Sequence, residues 1–167
     1  MEEMTEPKRP QRTTEKPTLL CVEDDCDWQE LLKEFFRKSF PHVEIIYVAD
    51  LHTAQETLKA RQVDIVTTDI SYPYSPGDLQ KATAGIELMA DVIKDHSRSI
   101  PCIAMTSVID AEPLLRFCKY YKGRKGVDLP LLDKGSDEFF PDLARRIKEA
   151  LVAALEPAPK SAKEARL

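Results

Sequence analysis

Five short apolar runs alternate along the chain with five stretches whose apolar residues fall at helical spacing, and that alternation leaves few folds open. Thr18–Glu23 is the first run and ends in acids. Trp28, Leu31, Leu32, Phe35 and Phe36 follow at i, i+3, i+4, i+7 and i+8, one face of a helix that Pro41 brings to an end. Val43–Val48, with its β-branched residues, reads as a second strand. Asp50 is placed to cap a helix whose inner face is Leu51, Ala54 and Leu58. Val63–Thr68 forms a third strand that stops at Asp69. A polar stretch from Ser71 to Thr83, carrying Pro73, Pro76 and Gly77, reads as a loop. Ile86, Met89, Ala90 and Ile93 mark the next helix, and Pro101–Met105 the fourth strand. Ala111, Leu114, Leu115, Cys118 and Tyr121 are expected to face inward from a further helix, followed by a fifth strand at Leu129–Leu132. Leu143, Ile147, Ala150, Leu151 and Ala154 line the last helix, with Ser136 as its expected cap and Pro141 able to move the start later by a turn.

Strands and helices in strict alternation imply an α/β protein with a parallel sheet covered on both faces. The strands are apolar throughout rather than alternating, as strands buried on both sides must be. The expected architecture is a flavodoxin-like, doubly wound, five-stranded parallel sheet of order 2-1-3-4-5 with five helices. The 167 residues suit one domain, expected over 18–155. The proline- and charge-rich ends, 1–17 and 156–167, are expected to be flexible tails, because neither holds enough apolar surface to offset its ordering entropy.

Composition excludes other classes. No apolar run approaches the length of about 18–20 residues that spans a bilayer, and the polar N-terminus lacks the apolar core of a signal peptide. A net charge of −5 lacks the footprint of a general nucleic-acid binder. Cys21, Cys26, Cys102 and Cys118 form no Cys-x-x-Cys pair, so the reading is reduced thiols in a cytoplasmic protein, with Cys21 and Cys102 in the core. His42, His52 and His96 have no ligand spacing.

In an open parallel sheet, ligands bind beyond the carboxyl ends of the strands, near the switch in strand order. Here those ends carry Glu23, Asp24 and Asp25 after the first strand and Asp69 after the third. Thr106 and Ser107 follow the fourth strand, and Asp133 and Lys134 the fifth. Adjacency of strands 1 and 3 would set Glu23 or Asp24 beside Asp69. Two carboxylates about 4 Å apart repel by about 4 kcal/mol at an effective dielectric of about 20. Such a cluster either raises a pKa or holds a cation, and a few hard oxygens with room for water suit Mg²⁺. With Lys134 as a second positive charge and Thr106 as a hydroxyl donor, the set is fitted to a phosphoryl group.

These residues also carry a resemblance. Leu20-Cys21-Val22-Glu23-Asp24-Asp25 resembles the acidic pair closing strand 1 of the receiver domains of two-component response regulators, and Asp69-Ile70-Ser71-Tyr72-Pro73 resembles their Asp-x-x-x-Pro phosphoacceptor segment. Gly85–Met89, Thr106-Ser107 and Lys134 match further receiver positions in the same order. No motif is specific alone; five in sequence, each tied to a strand end, are. The resemblance implies a stand-alone, CheY-like receiver. Asp69 would be the phosphoacceptor, and Glu23, Asp24, Asp69 and the Ser71 backbone carbonyl the Mg²⁺ ligands. Thr106 and Lys134 would contact the phosphoryl oxygens. The implied role is that of a phosphorelay protein rather than an enzyme, with at most self-phosphorylation and auto-dephosphorylation of its own aspartate. Its partners would be a sensor histidine kinase or histidine phosphotransfer protein and a protein output target, with no nucleic acid and no membrane; a homodimer through the fourth and fifth helices is allowed by family analogy only.

Four departures bear on that implication. The segment between Pro73 and Gly85 is longer than in the family. Gly135 stands where the family has proline after the lysine, so a trans peptide is expected. Leu131 occupies the switch position that is aromatic in the family. The basic stretch 122–126 alters the connection after the fourth helix. Leu131 and Gly135 keep open an interaction module that works without phosphorylation. A Mg²⁺-dependent phosphohydrolase lacks a general acid/base. Asp25 and Asp27 form the Asp-x-Asp of haloacid-dehalogenase phosphatases, but Gln29 stands where Thr or Val is needed, and Asp25 is better placed as a helix cap.

Overall fold

The computed structural model describes residues 16–95 and 99–155. The two expected tails, apart from Lys16 and Pro17, and His96 lie outside the described residues. Among the described residues, seven strands and five helices follow one another: β1 Thr18–Val22, α1 Cys26–Ser39, β2 Glu44–Val48, α2 Leu51–Ala60, β3 Ile65–Thr68, β4 Tyr72–Pro73, β5 Gln80–Lys81, α3 Ala84–Lys94, β6 Cys102–Thr106, α4 Glu112–Lys125, β7 Leu131–Asp133 and α5 Phe139–Leu155. Five strands form one sheet of order β2-β1-β3-β6-β7, with every neighbouring pair parallel. This is the order 2-1-3-4-5 once the short strands β4 and β5 are set aside.

Alternation along β1 explains the two layers. Leu20 and Val22 point into a core shared with α2, α3 and α4, including Ala54, Leu88, Met89, Leu114 and Phe117. Leu19 and Cys21 point the other way, onto Leu32, Phe36, Leu143 and Ile147 of α1 and α5. Both faces of β1, β3 and β6 are therefore dry, which accounts for their unbroken apolar runs. Burial pushes the Cys21 and Cys102 thiols up to about 12, in keeping with a core role, and all four cysteines are free.

Local signals start the helices where expected. The Asp25 carboxylate accepts the Trp28 N–H at 3.0 Å to open α1, and Asp50 accepts the Thr53 N–H at 2.8 Å to open α2. Three expectations need correction. Leu31 and Leu115 are 51% and 47% exposed, because the buried stripes run through Leu32 and Phe36 on α1 and through Leu114, Phe117 and Tyr121 on α4. Ser136 does not cap α5: its hydroxyl accepts the Glu138 N–H at 3.2 Å within the preceding turn, and Pro141 lies in the helix's first turn, where its missing N–H costs nothing. The polar stretch 71–83 is not simply a loop, since β4 and β5 pair as an antiparallel hairpin. Tyr72 anchors that hairpin, fully buried, with its hydroxyl 3.0 Å from the Thr68 hydroxyl. Gly77, at φ +84°, makes its tip.

The remaining histidines, His42 and His52, sit apart on the surface. Among the described residues no helix is long and apolar enough to cross a membrane.

Candidate functional site

Strand-end ladders place the site. Each key residue lies just past a strand and donates its backbone N–H to the neighbouring strand: Glu23 to Val48, Asp69 to Val22 and Lys134 to Thr106, at 3.0, 3.0 and 2.9 Å. Parallel strands of equal register thus deliver three side chains to one edge. There, one oxygen each of Glu23, Asp24 and Asp69 lies within 4.8 Å of the others.

Lys134 sits among them. Its side chain is only 3% exposed, and its ammonium donates to Asp69 Oδ2 at 2.9 Å and to Glu23 Oε2. The other Asp69 oxygen, Oδ1, accepts the Ile70 N–H at 2.6 Å. Both Asp69 oxygens are therefore held, and the carboxylate has a defined orientation. Glu23 is 1% exposed and also accepts the Asp25 N–H at 3.1 Å. The Trp28 ring lies over the lysine ammonium, 4.9 Å from ring centroid to nitrogen. An open cleft of about 490 Å³ leads to the cluster, lined by Asp24, Trp28, Asp69, Ser71, Gln80 and Lys134 among others.

Among the described residues, three carboxylates share this corner with one ammonium, and the electrostatics follow. Burial, opposed by the Lys134 hydrogen bond, pushes Glu23 up to about 6. Burial also raises Asp24. Burial works against the Lys134 ammonium, but its bonds to Glu23 and Asp69 outweigh that and hold it above the ordinary lysine value. One cation leaves the corner short of positive charge. Hard oxygens close together, with Asp24 and Asp69 open to the cleft, fit a further divalent ion of the Mg²⁺ kind.

Of the residues expected from sequence, Glu23, Asp24, Asp69 and Lys134 come together. Ser71 lines the same cleft. Thr106 is buried at the end of β6, with its hydroxyl accepting the Val108 N–H at 3.1 Å, and the next residue, Ser107, lines the cleft. Leu131 is half-buried at the start of β7, paired with Ala104 and packed on the core. No peptide bond among the described residues is cis, so the bond between Lys134 and Gly135 is trans as expected.

Sequence reasoning misses two participants. Trp28 reads as a core residue in a helical stripe, and nothing in its spacing tells that its face meets Lys134. Gln80 sits in a polar stretch without pattern. The hairpin carries it across the cleft, where its amide nitrogen donates to Asp24 Oδ2 and its carbonyl accepts the Ser71 hydroxyl at 2.9 Å.

Comparisons with known proteins place this architecture. No protein-family model matches the sequence, and a search of curated proteins found no relative. Solved structures do match. The signal receiver domain of an HD domain-containing protein from Pseudomonas fluorescens Pf-5 superposes with TM-score 0.62 at 20% identity, over 83% of this chain and 97% of that one. The signal receiver domain of a signal transduction histidine kinase from Syntrophus aciditrophicus gives 0.64 at 16%, over 87% and 97%. The chemotaxis response regulator CheY4 of Vibrio cholerae gives 0.59 at 15%, over 81% and 98%. The chain has the fold of a receiver domain across most of its length.

Proposed function

We propose that this protein is a phosphoacceptor of a two-component phosphorelay, receiving a phosphoryl group on Asp69 and passing the signal on by protein contacts. One observation carries the reading: Asp69 is oriented by Lys134 at 2.9 Å and shares its corner with two further carboxylates whose oxygens lie within 4.8 Å. The receiver fold of the structural neighbours supports it, and a cytoplasmic setting with a histidine kinase or histidine phosphotransfer protein as donor belongs to the same proposal.

The chain's own residues account for the steps. Glu23, Asp24, Asp69 and the Ser71 backbone carbonyl would hold Mg²⁺, which supplies charge neutralisation for the incoming phosphoryl oxygens. A carboxylate oxygen of Asp69 forms the new O–P bond as the bond from phosphorus to the donor's imidazole nitrogen, or to an acyl oxygen, breaks and its electron pair leaves with the donor. Lys134 is already at Asp69 and can follow the developing charge on the transferred group, turning from the carboxylate to a phosphoryl oxygen. Thr106, buried one strand away, turns its hydroxyl hydrogen away from the Val108 carbonyl, 3.5 Å off, if it is to donate to that group. Because Leu131 has no aromatic ring to follow Thr106, the response would spread through packing around β7 rather than by an aromatic flip.

Leu131 is also the observation that favours a second reading, an interaction module of the same fold that needs no phosphoryl group. Intact-mass measurement after incubation with acetyl phosphate separates the two. With Mg²⁺ the protein is expected to gain one phosphoryl group, and with a chelator none. A mass that stays unchanged with Mg²⁺ present would favour the second reading.

A further inference from the structure

The hairpin β4–β5 puts an amide where a bound cation would need a free carboxylate. Gln80 reaches across the cleft from β5, donating its amide hydrogen to Asp24 Oδ2 while Ser71 Oγ donates to its carbonyl at 2.9 Å. It thereby ties the end of β1 to the segment after β3, the two banks of the acidic corner. The far strand of the hairpin is positioned for this from both ends. Tyr72 pins β4 in the core, and Lys81 pairs with Glu87 at 2.8 Å on α3. Between them the Tyr74 carbonyl accepts the His52 N–H at 2.8 Å, while Leu79, next to Gln80, is 91% exposed.

We propose that Gln80 is an affinity-setting residue of the cation site, a hairpin-borne amide that occupies Asp24 until a divalent ion displaces it. The inference rests on the cation reading of the acidic corner. The physical reason is competition for one carboxylate. An N–H group directed at Asp24 presents positive charge to the place where the ion must sit, so ion and amide cannot share that oxygen without repulsion. The amide bond satisfies Asp24 in the ion-free state and lowers the gain on binding. Ion entry therefore breaks the bond from Gln80 and loosens β5, which its pairing with β4 and the Lys81–Glu87 pair then hold alone, while Tyr72 keeps β4 in place. The insertion then makes occupancy of the site readable at its own mouth.

Isothermal calorimetry with Mg²⁺ on the chelator-stripped full chain tests this with two variants. Gln80→Met keeps the length and removes the amide, and is expected to bind Mg²⁺ about tenfold more tightly than the parent, the scale of one charge-assisted hydrogen bond. Gln80→Glu places a further carboxylate by Asp24 and is expected to bind more tightly again. Hydrogen exchange supplies a readout independent of affinity: exchange at residues 80–81 should rise on Mg²⁺ addition in the parent and be fast with or without the ion in Gln80→Met. Equal or weaker Mg²⁺ affinity in Gln80→Met overturns the inference while leaving the site's cation reading intact. Absence of binding heat in all three chains removes the cation reading itself, and this inference with it.

Discussion

Lys134→Met is expected to lower the stability of the ion-free protein by about 3–5 kcal/mol at neutral pH, the cost of leaving a buried carboxylate without its partner. Glu23 is 1% exposed, and Lys134 is bonded both to it and to Asp69. Methionine fills the space of the lysine stem but returns no charge. The effect has a pH signature. Burial already pushes Glu23 up to about 6 from 4.5, so the folded protein holds a proton there that the unfolded chain has released. That contribution to stability is fully present below about 4.5 and is lost as pH rises through about 6. Removal of Lys134 moves the folded value further up. The deficit against the parent should therefore be largest at neutral pH and shrink on acidification, as Glu23 becomes neutral in the variant. Urea unfolding of both proteins with chelator, repeated across that range, measures it. A deficit that does not change with pH would contradict the assignment of Glu23 as the stranded charge.

Gly85→Ala is the second large effect, and it couples the fold to the site. A β-carbon at Gly85 would sit 2.0 Å from the Asp69 carbonyl oxygen and 2.8 Å from the Ile70 α-carbon, both backbone atoms that cannot swing aside. The close approach is fixed by the Gly85 N–H, which donates to the Ile70 carbonyl at 2.9 Å. The first turn of α3 thus rests directly on the strand end that carries Asp69. Overpacking of this kind should cost about 3 kcal/mol, or roughly 10 °C in the thermal midpoint of a chain this size. It should also slow phosphoryl uptake, because the backbone that must shift bears Asp69, the proposed acceptor. Gly123→Ala is the matched comparison: a β-carbon there would meet nothing within 4 Å, and the position lies within α4. That change should be neutral or stabilising by up to about 1 kcal/mol. Equal midpoints for the two variants would contradict the packing argument.

Much of this is legible in the chain, for identifiable reasons. Buried parallel strands need unbroken apolar runs, so β1, β3 and β6 stand out, and Asp25 and Asp50 announce their helices through capping chemistry. The site is legible because an open parallel sheet collects chemistry at one edge, so Glu23, Asp24, Asp69 and Lys134 can be grouped before any coordinates. What escapes depends on rotation or on pairing. Leu31 and Leu115 fit the helical period yet lie one position off the buried stripe, a difference set by how α1 and α4 roll on the sheet. Trp28 meets Lys134 through that same roll. The β4–β5 hairpin has strands of two residues, too short for a period, and its Pro73 disguises it as a plain loop. Gln80 is therefore invisible as a site residue, although the unusual length of its segment is not.

Of the three clustered carboxylates, Asp69 is the one proposed to become esterified, and borohydride reduction identifies the esterified side chain by its position. Treatment with acetyl phosphate and Mg²⁺ followed by borohydride converts an aspartyl phosphate to homoserine, which peptide mass spectrometry locates in the sequence. The account predicts homoserine at position 69 and none in Asp69→Asn. Conversion at position 24, or conversion elsewhere that persists in Asp69→Asn, would contradict it.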